Sequence, residues 1–402
     1  MTTHPLMTIG EALRETLPHI LPVGVEEAQL AQAGGRVLAE SITADRDSPA
    51  CDVSAMDGFA VRAEQLRAGS LPIKGECRIG EAPEVLGERC AMKIFTGGPL
   101  PEGADTVLKV EDAQVENNAL QLTPGATIEP GQHIRYRGEN GKQGREVLAS
   151  GSALTPAAIT TAASVTPGPL RVHRRVRVTI ITTGNELVQP ESAESETPPP
   201  WRLRDSNGPA LAALLGSAPW LEVAPLKHGS DDPAALAELL TATLGESDAV
   251  VFTGGISKGE HDYVPSVIES AGGDLRFHGL KIRPGKPMLG AVLDGAPVVG
   301  LPGNPLSVLA TARVALAPML RRRAGFALPN ERHAQMILES PSEKPLGLEW
   351  FRPVRKVADG LARLEQVRGS GDVFGAGESD GLVAIPPGET GVGPFPFIHW
   401  SL

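Results

Sequence analysis

At 402 residues, with 41% hydrophobic and 21% charged side chains, the chain has the composition of a globular protein of two to four domains. Its net charge of −11 works against a nucleic-acid surface, because a phosphate backbone would be repelled. No stretch reaches the ~18 apolar residues of a membrane span. Three cysteines, Cys51, Cys77 and Cys90, show neither a disulfide framework nor metal-ligand spacing.

In chain order, Thr8 and Glu11 form a capping-box pattern that opens a helix to about Leu17, stopped by Pro18 and Pro22. This amphipathic opening is no signal peptide, so the cytoplasm is the expected location. Gly34-Gly35 predicts a turn into a strand at residues 36–39, and Asp57-Gly58 a tight turn immediately before another strand. From residue 71 to 122 short β segments alternate with Gly/Pro turns, among them 73–79 and 106–110, which predicts a small β-rich lobe. Inside it, residues 95–101 read Phe-Thr-Gly-Gly-Pro-Leu-Pro, a second glycine-and-hydroxyl turn. Thr155-Pro156 caps a helix that ends before Pro167.

A different pattern begins at Val176. Strands are expected at 176–181, 221–226, 248–252 and 296–300, with helices at 207–215 and 233–244 between them. That alternation predicts a largely parallel α/β layer. Residues 190–200 (PESAESETPPP) read as an exposed insertion. A long amphipathic helix is expected from Pro305 to about Arg323, followed by a final lobe with strands at 350–357, 362–365 and 381–385.

Ligands of open α/β sheets sit at the carboxyl ends of the strands, and the polar turns of this region fall there. Glu186, Asp231, Asp232, Glu260 and Asp262 are therefore expected to face one crevice. Carboxylates that converge repel one another unless a hard cation holds them, and Mg²⁺ is the usual one beside phosphates. Asp232, standing before Pro233, also suits a plain helix cap. The glycine turn with Gly254, Gly255 and Ser257 lets backbone N–H groups approach an anion, and Lys281, Arg283 and Lys286 supply cations. Isolated histidines such as His228 and His261 read as loop hydrogen-bonders. There is no Walker A loop, no G-x-G-x-x-G helix opening and no H-E-x-x-H.

The ordered set SAMDGFA (54–60), FTGG (95–98), GADTV (103–107), TGNEL (183–187), TGGISKGEHDY (253–263), RPGKP (283–287) and LPGNP (301–305) resembles the molybdopterin molybdenumtransferase family, which is also similar to the C-terminal part of gephyrin. The resemblance covers nearly the whole chain and is weaker over the last ~75 residues. It implies a transferase that takes adenylylated molybdopterin and molybdate, needs Mg²⁺, inserts the metal at the dithiolene and releases AMP. It further implies a homodimer whose cleft joins the α/β domain of one subunit to the β-rich lobe of the other. Candidate further partners are the adenylyltransferase that supplies the substrate and proteins that deliver the product to molybdoenzymes.

Carried over residue by residue, the resemblance assigns Asp57 and Thr96 to catalysis from the β lobe, with Glu186 and Asp262 from the α/β domain. The metal ligands would come from Glu186, Asp231 or Asp232, and Asp262. Substrate would meet Gly254, Gly255, Ser257, Lys281, Arg283, Lys286, Pro302, Pro305, Arg352 and Ser370. The expected fold is α/β multidomain: a three-layer α/β domain with a mostly parallel sheet, a β-rich lobe, a helical linker domain and a C-terminal β-barrel-like domain. The expected boundaries are 1–23 with 43–51 and 141–172 for the linker and dimerisation domain, 24–42 with 52–140 for the β lobe, 173–326 for the α/β domain and 327–402 for the last. Two positions depart from the family pattern: Asn140 stands where Asp is frequent, and Asn185 where Asp also occurs. Two other classes compete with a transferase. A pterin-binding scaffold would not need Asp57, Glu186 and Asp262 together, and a nucleotide pyrophosphatase or adenylyltransferase would not need the β lobe.

Overall fold

The computed structural model describes residues 5–402 apart from Pro83, Lys258, Glu260, His261 and Glu343. The chain forms two compact units: Met1–Glu40, Ala149–Ile159 and Gly168–Leu402 make one, and Ser41–Leu148 with Thr160–Pro167 the other. Among the described residues no helix is long and apolar enough to cross a membrane.

The first unit is built on a seven-stranded sheet in the order Leu221–Val223, Val176–Thr183, Ala249–Thr253, Ala296–Leu301, Leu289–Leu293 and Asp274–His278, with Lys227–Gly229 also paired to Val176–Thr183. Five of these strands run parallel, Leu289–Leu293 pairs antiparallel with Ala296–Leu301, and Asp274–His278 pairs antiparallel with Leu289–Leu293 in turn. Ala249–Thr253 is buried along its whole length, as a strand covered on both faces must be. Its side chains alternate: Val251 joins the core under helices Asn207–Gly216 and Pro305–Thr311, and Val250 and Phe252 join the core under Pro233–Leu244 and Val264–Ser270. The result is three layers with a mostly parallel sheet.

The same unit carries a closed five-strand barrel. Glu349–Ala358 pairs with Leu361–Leu364, which pairs with Ala334–Leu338, then Phe395–His399, then Gly381–Ile385, and so back to Glu349–Ala358. Met336, Val354, Val383, Phe395 and Phe397 fill it. The two-residue strand Ile282–Arg283 leaves the α/β region and pairs in parallel with Glu349 and Trp350 of the barrel.

The second unit holds a six-stranded sheet ordered Thr106–Lys109, Gly58–Val61, Ala91–Ile94, Leu71–Cys77, Ala119–Leu122 and Ala113–Glu116. Phe59, Val61 and Leu108 face one apolar cluster, and Ala60, Met92 and Val107 the other, so its central strands are covered on both sides. Asn117 and Asn118, both at positive φ (46° and 61°), make the type I′ turn that joins its last two strands.

Several local expectations change. Residues 36–39 are no strand, since Val37 and Leu38 make only isolated bridges to Ala153 and Val172. The expected strand at 221–226 is two short ones, Leu221–Val223 and Lys227–Gly229, both paired with Val176–Thr183. The helix from Pro305 to Arg323 contains a π segment, Ala312–Leu316, that ends two residues ahead of Pro318, which has no N–H to continue the α ladder. Its face is buried nearly all round rather than amphipathic. The Thr8 capping box is present in full: Glu11 N–H donates to Thr8 Oγ1, and Thr8 N–H donates to Glu11 Oε2.

Candidate functional site

The carboxyl ends of the parallel strands open onto a cavity of about 310 Å³. Four of the five parallel strands each deliver one part of its wall: Val176–Thr183 leads to Gly184 and Glu186, Lys227–Gly229 to Asp231, Ala249–Thr253 to Gly254 and Gly255, and Ala296–Leu301 to Pro302. Ser257 and Asp262 complete it. Gly254 is required where it stands. Its φ is +95°, and a Cβ there would lie 2.8 Å from both the Thr183 carbonyl and Thr183 Oγ1.

Three of the expected carboxylates, Glu186, Asp231 and Asp262, therefore share one cavity. Asp231 Oδ2 accepts from Asn185 N–H at 2.9 Å, and Asp262 Oδ2 accepts from Gly259 N–H at 2.6 Å, so both are oriented by backbone. Asp232 does not join them. It is the N-cap of Pro233–Leu244, accepting from Ala235 N–H at 3.1 Å. Glu260, Lys258 and His261 lie outside the described residues.

Sequence reading passed over Asn207, taken only as the opening of a helix. It lines this cavity, is 9% exposed, and donates through Nδ2 to the Gly303 carbonyl at 2.7 Å and to Thr253 Oγ1 at 3.1 Å. A carbonyl only accepts, so the amide orientation is settled, and its Oδ1 acceptor has no hydrogen-bond partner among the described residues. Nothing in a helix-opening Asn-Gly pair signals this; the clue lies in the tertiary approach of residue 303.

A second, larger cavity of about 1,190 Å³ lies between the α/β sheet and the barrel. Arg283, Lys286, Lys344, Arg352 and Arg368 line it, with Ser307 and Ser370. The loop bearing Arg368 and Ser370 is pinned at both ends: Asp372 accepts from Arg368, Phe374 and Gly375 N–H groups, and Asn304 Nδ2 donates to Ser370 Oγ at 2.9 Å. The Arg368 N–H first, and then the others, hold the Asp372 carboxyl below the usual carboxylate range. Ser257, Pro287, Pro302 and Gly303 belong to the walls of both cavities, so the acidic and basic spaces adjoin.

Two expected substrate residues stand apart from this lining. Lys281 is held by main-chain bonds on both sides, its N–H to the Met7 carbonyl at 2.7 Å and its carbonyl to Glu349 N–H at 3.1 Å, and its charge acts on Glu11. Pro305 is the first residue of helix Pro305–Thr311, where a missing N–H costs nothing.

In the second unit Asp57 and Thr96 meet directly. Thr96 donates to Asp57 Oδ1 through its N–H at 2.7 Å and its hydroxyl at 2.9 Å. The backbone bond, then the hydroxyl, with a smaller pull from Lys93, holds the Asp57 carboxyl below its ordinary range. Asn140 occupies a satisfied position, its Oδ1 accepting from Arg135 at 2.6 Å and its Nδ2 donating to Ser48 Oγ at 3.3 Å.

Among the described residues no three His, Cys, Asp or Glu side chains gather as a metal cage. Mg²⁺ seldom uses such a cage; it keeps waters and takes one or two carboxylates, with phosphate oxygens completing the shell. Glu186, Asp231 and Asp262 on one cavity fit a magnesium ion held partly by a phosphorylated substrate.

Comparison with known proteins agrees across nearly the whole chain. Residues 7–166 match the family description "MoeA N-terminal region (domain I and II)", and residues 179–322 match "Probable molybdopterin binding domain". A molybdopterin molybdenumtransferase of Synechococcus elongatus is 35% identical over 384 residues, covering 92% of each chain. One from Nostoc is 32% identical over 385 residues, covering 91% of this chain and 86% of the relative. The crystal structure of a molybdopterin biosynthesis moeA protein from Pyrococcus horikoshii superposes with a TM-score of 0.80 at 27% identity, covering 98% of this chain and 99% of that one.

Proposed function

Because the chain belongs to the molybdopterin molybdenumtransferase family, and so acts as a transferase in molybdenum cofactor synthesis, we propose that it inserts molybdenum from molybdate into adenylylated molybdopterin and releases AMP. The observation that carries this reading is the adjacency of the two cavities. A carboxylate-lined space suits a magnesium-bound phosphoanhydride, and the cation-lined space next to it suits a free oxyanion. One substrate spanning both would have its phosphates at the acidic end and its dithiolene near the basic one.

Glu186, Asp231 and Asp262 are the residues that would hold magnesium. When bound, that ion would polarise the phosphoanhydride joining AMP to the pterin phosphate. Gly254 and Gly255 let substrate approach the backbone closely, and Asn207 Oδ1 offers an acceptor to a substrate N–H or O–H. Arg283, Lys286 and Arg352, with Ser370, hold molybdate oxygens by charge-assisted hydrogen bonds beside the thiolates that take the metal. Asp57, kept ionised by Thr96, acts from the second subunit of a homodimer. Catalysis is then mostly positioning and charge neutralisation, with no covalent enzyme intermediate.

The product supplies the test. Incubated with adenylylated molybdopterin, molybdate and Mg²⁺, the purified protein is expected to yield a cofactor that activates an apo-molybdoenzyme. Tight substrate binding without any activating product would instead make it a pterin-binding scaffold.

A further inference from the structure

Trp350 lies at the junction of the two folding elements that form the basic cavity. In the parallel pairing of Ile282–Arg283 with the barrel, Arg283 is the register partner of Trp350. Arg352 follows Trp350 by two residues on the same strand and so projects to the same side. Both cations lie on the one indole: the Arg283 guanidinium carbon is 5.5 Å and that of Arg352 4.5 Å from the ring centroid. All three residues line the cavity. The ring itself is half-buried against the barrel core, which fixes its plane.

Two guanidinium groups brought this close repel one another. The negative face of an indole offsets part of that repulsion and sets where each planar fork points. Arg283 comes from the α/β element and Arg352 from the barrel, and the indole is a contact that both side chains share. We propose that Trp350 is a positioning and affinity-determining residue of this cavity, presenting Arg283 and Arg352 together to a single tetrahedral oxyanion. This inference rests on the oxyanion reading given above and adds the residue that aligns the two cations. The indole makes no bond to the anion; it acts through the arginines.

The test uses the full-length protein and molybdate itself at constant ionic strength, with Trp350→Leu and Trp350→Phe beside the parent. Calorimetry is expected to show molybdate binding weakened about tenfold in Trp350→Leu, and within about threefold of the parent in Trp350→Phe, which keeps a ring. Because an anion between the guanidiniums alters the indole's surroundings, molybdate should also change tryptophan emission in the parent and lose that component in Trp350→Phe. Equal affinity in Trp350→Leu and the parent would overturn the inference. So would an emission change that survives in Trp350→Phe, a result available even where Trp350→Leu does not fold. Equal weakening of both variants together with a fall in melting temperature would reduce Trp350 to a barrel core residue and overturn it as well. A parent protein that binds no molybdate would remove the oxyanion reading and this inference with it.

Discussion

Asp231 and Asp232 are adjacent in sequence and do different work. Asp232 satisfies an orphan N–H at the start of Pro233–Leu244, and Asp231 lines the acidic cavity. Asp232→Ala should therefore cost about 1 kcal/mol in urea unfolding and leave turnover near the parent value. Asp231→Ala should do the reverse, and equal turnover losses in the two variants would contradict the assignment. Asp57 offers a pH readout. Its carboxyl titrates below the ordinary range because Thr96 donates twice to the ionised form. The stability gained is thus complete above the unfolded carboxylate value of ~3.9 and is lost as pH falls through the lower folded value. Thr96→Val removes the hydroxyl donor and keeps the backbone N–H, so it should raise the Asp57 titration only part of the way toward the ordinary range in carbon-detected NMR, and an unmoved titration would show that the hydroxyl contributes nothing.

Among the elements, the strand ends decide the site. The turn at Gly254 depends on a positive φ and on close approach to Thr183. Gly254→Ala should destabilise the protein by about 1–3 kcal/mol and impair substrate binding along with it. An alanine variant of parent stability would show that the turn can relax. The π segment Ala312–Leu316 places Arg313 where its side chain is 2% exposed, paired with Glu331 at 2.8 Å and donating to the His399 carbonyl at 2.7 Å. Arg313→Ala leaves Glu331 only the longer pair with Arg321 at 3.8 Å and should cost about 1–3 kcal/mol. The double variant Arg313→Leu, Glu331→Leu should recover much of that loss in chemical denaturation.

At the scale of the whole molecule, what could be read in advance follows from which signals are local. The buried strand at 249–252 announces itself as an unbroken apolar run and that at 176–181 as four apolar residues in six, and the Thr8 and Asp232 caps need only a few residues to recognise. The three cavity carboxylates were legible because topology alone sends the ends of parallel strands to one edge. Other features had no local signature. Barrel strand Phe395–His399 begins right after Pro394 and contains Pro396, which reads as a break rather than a strand. The strand Ile282–Arg283 is only two residues long and exists because the barrel edge receives it. Lys281 looked equivalent to Arg283 and Lys286 in sequence, yet its main chain is tied to Met7 and Glu349 outside the cavity. Asn207 and Trp350 take their parts from groups 96 and 67 residues away, Gly303 and Arg283, which spacing cannot reveal.

The central claim is that the acidic and basic cavities together run a magnesium-dependent, molybdate-driven release of AMP. It is tested most directly by following AMP from adenylylated molybdopterin, with Mg²⁺, with and without molybdate, in the parent and in Asp262→Ala. The account predicts AMP release that requires molybdate and falls by at least about a hundredfold in the variant. AMP release that is indifferent to molybdate, or equal in the two proteins, would contradict it.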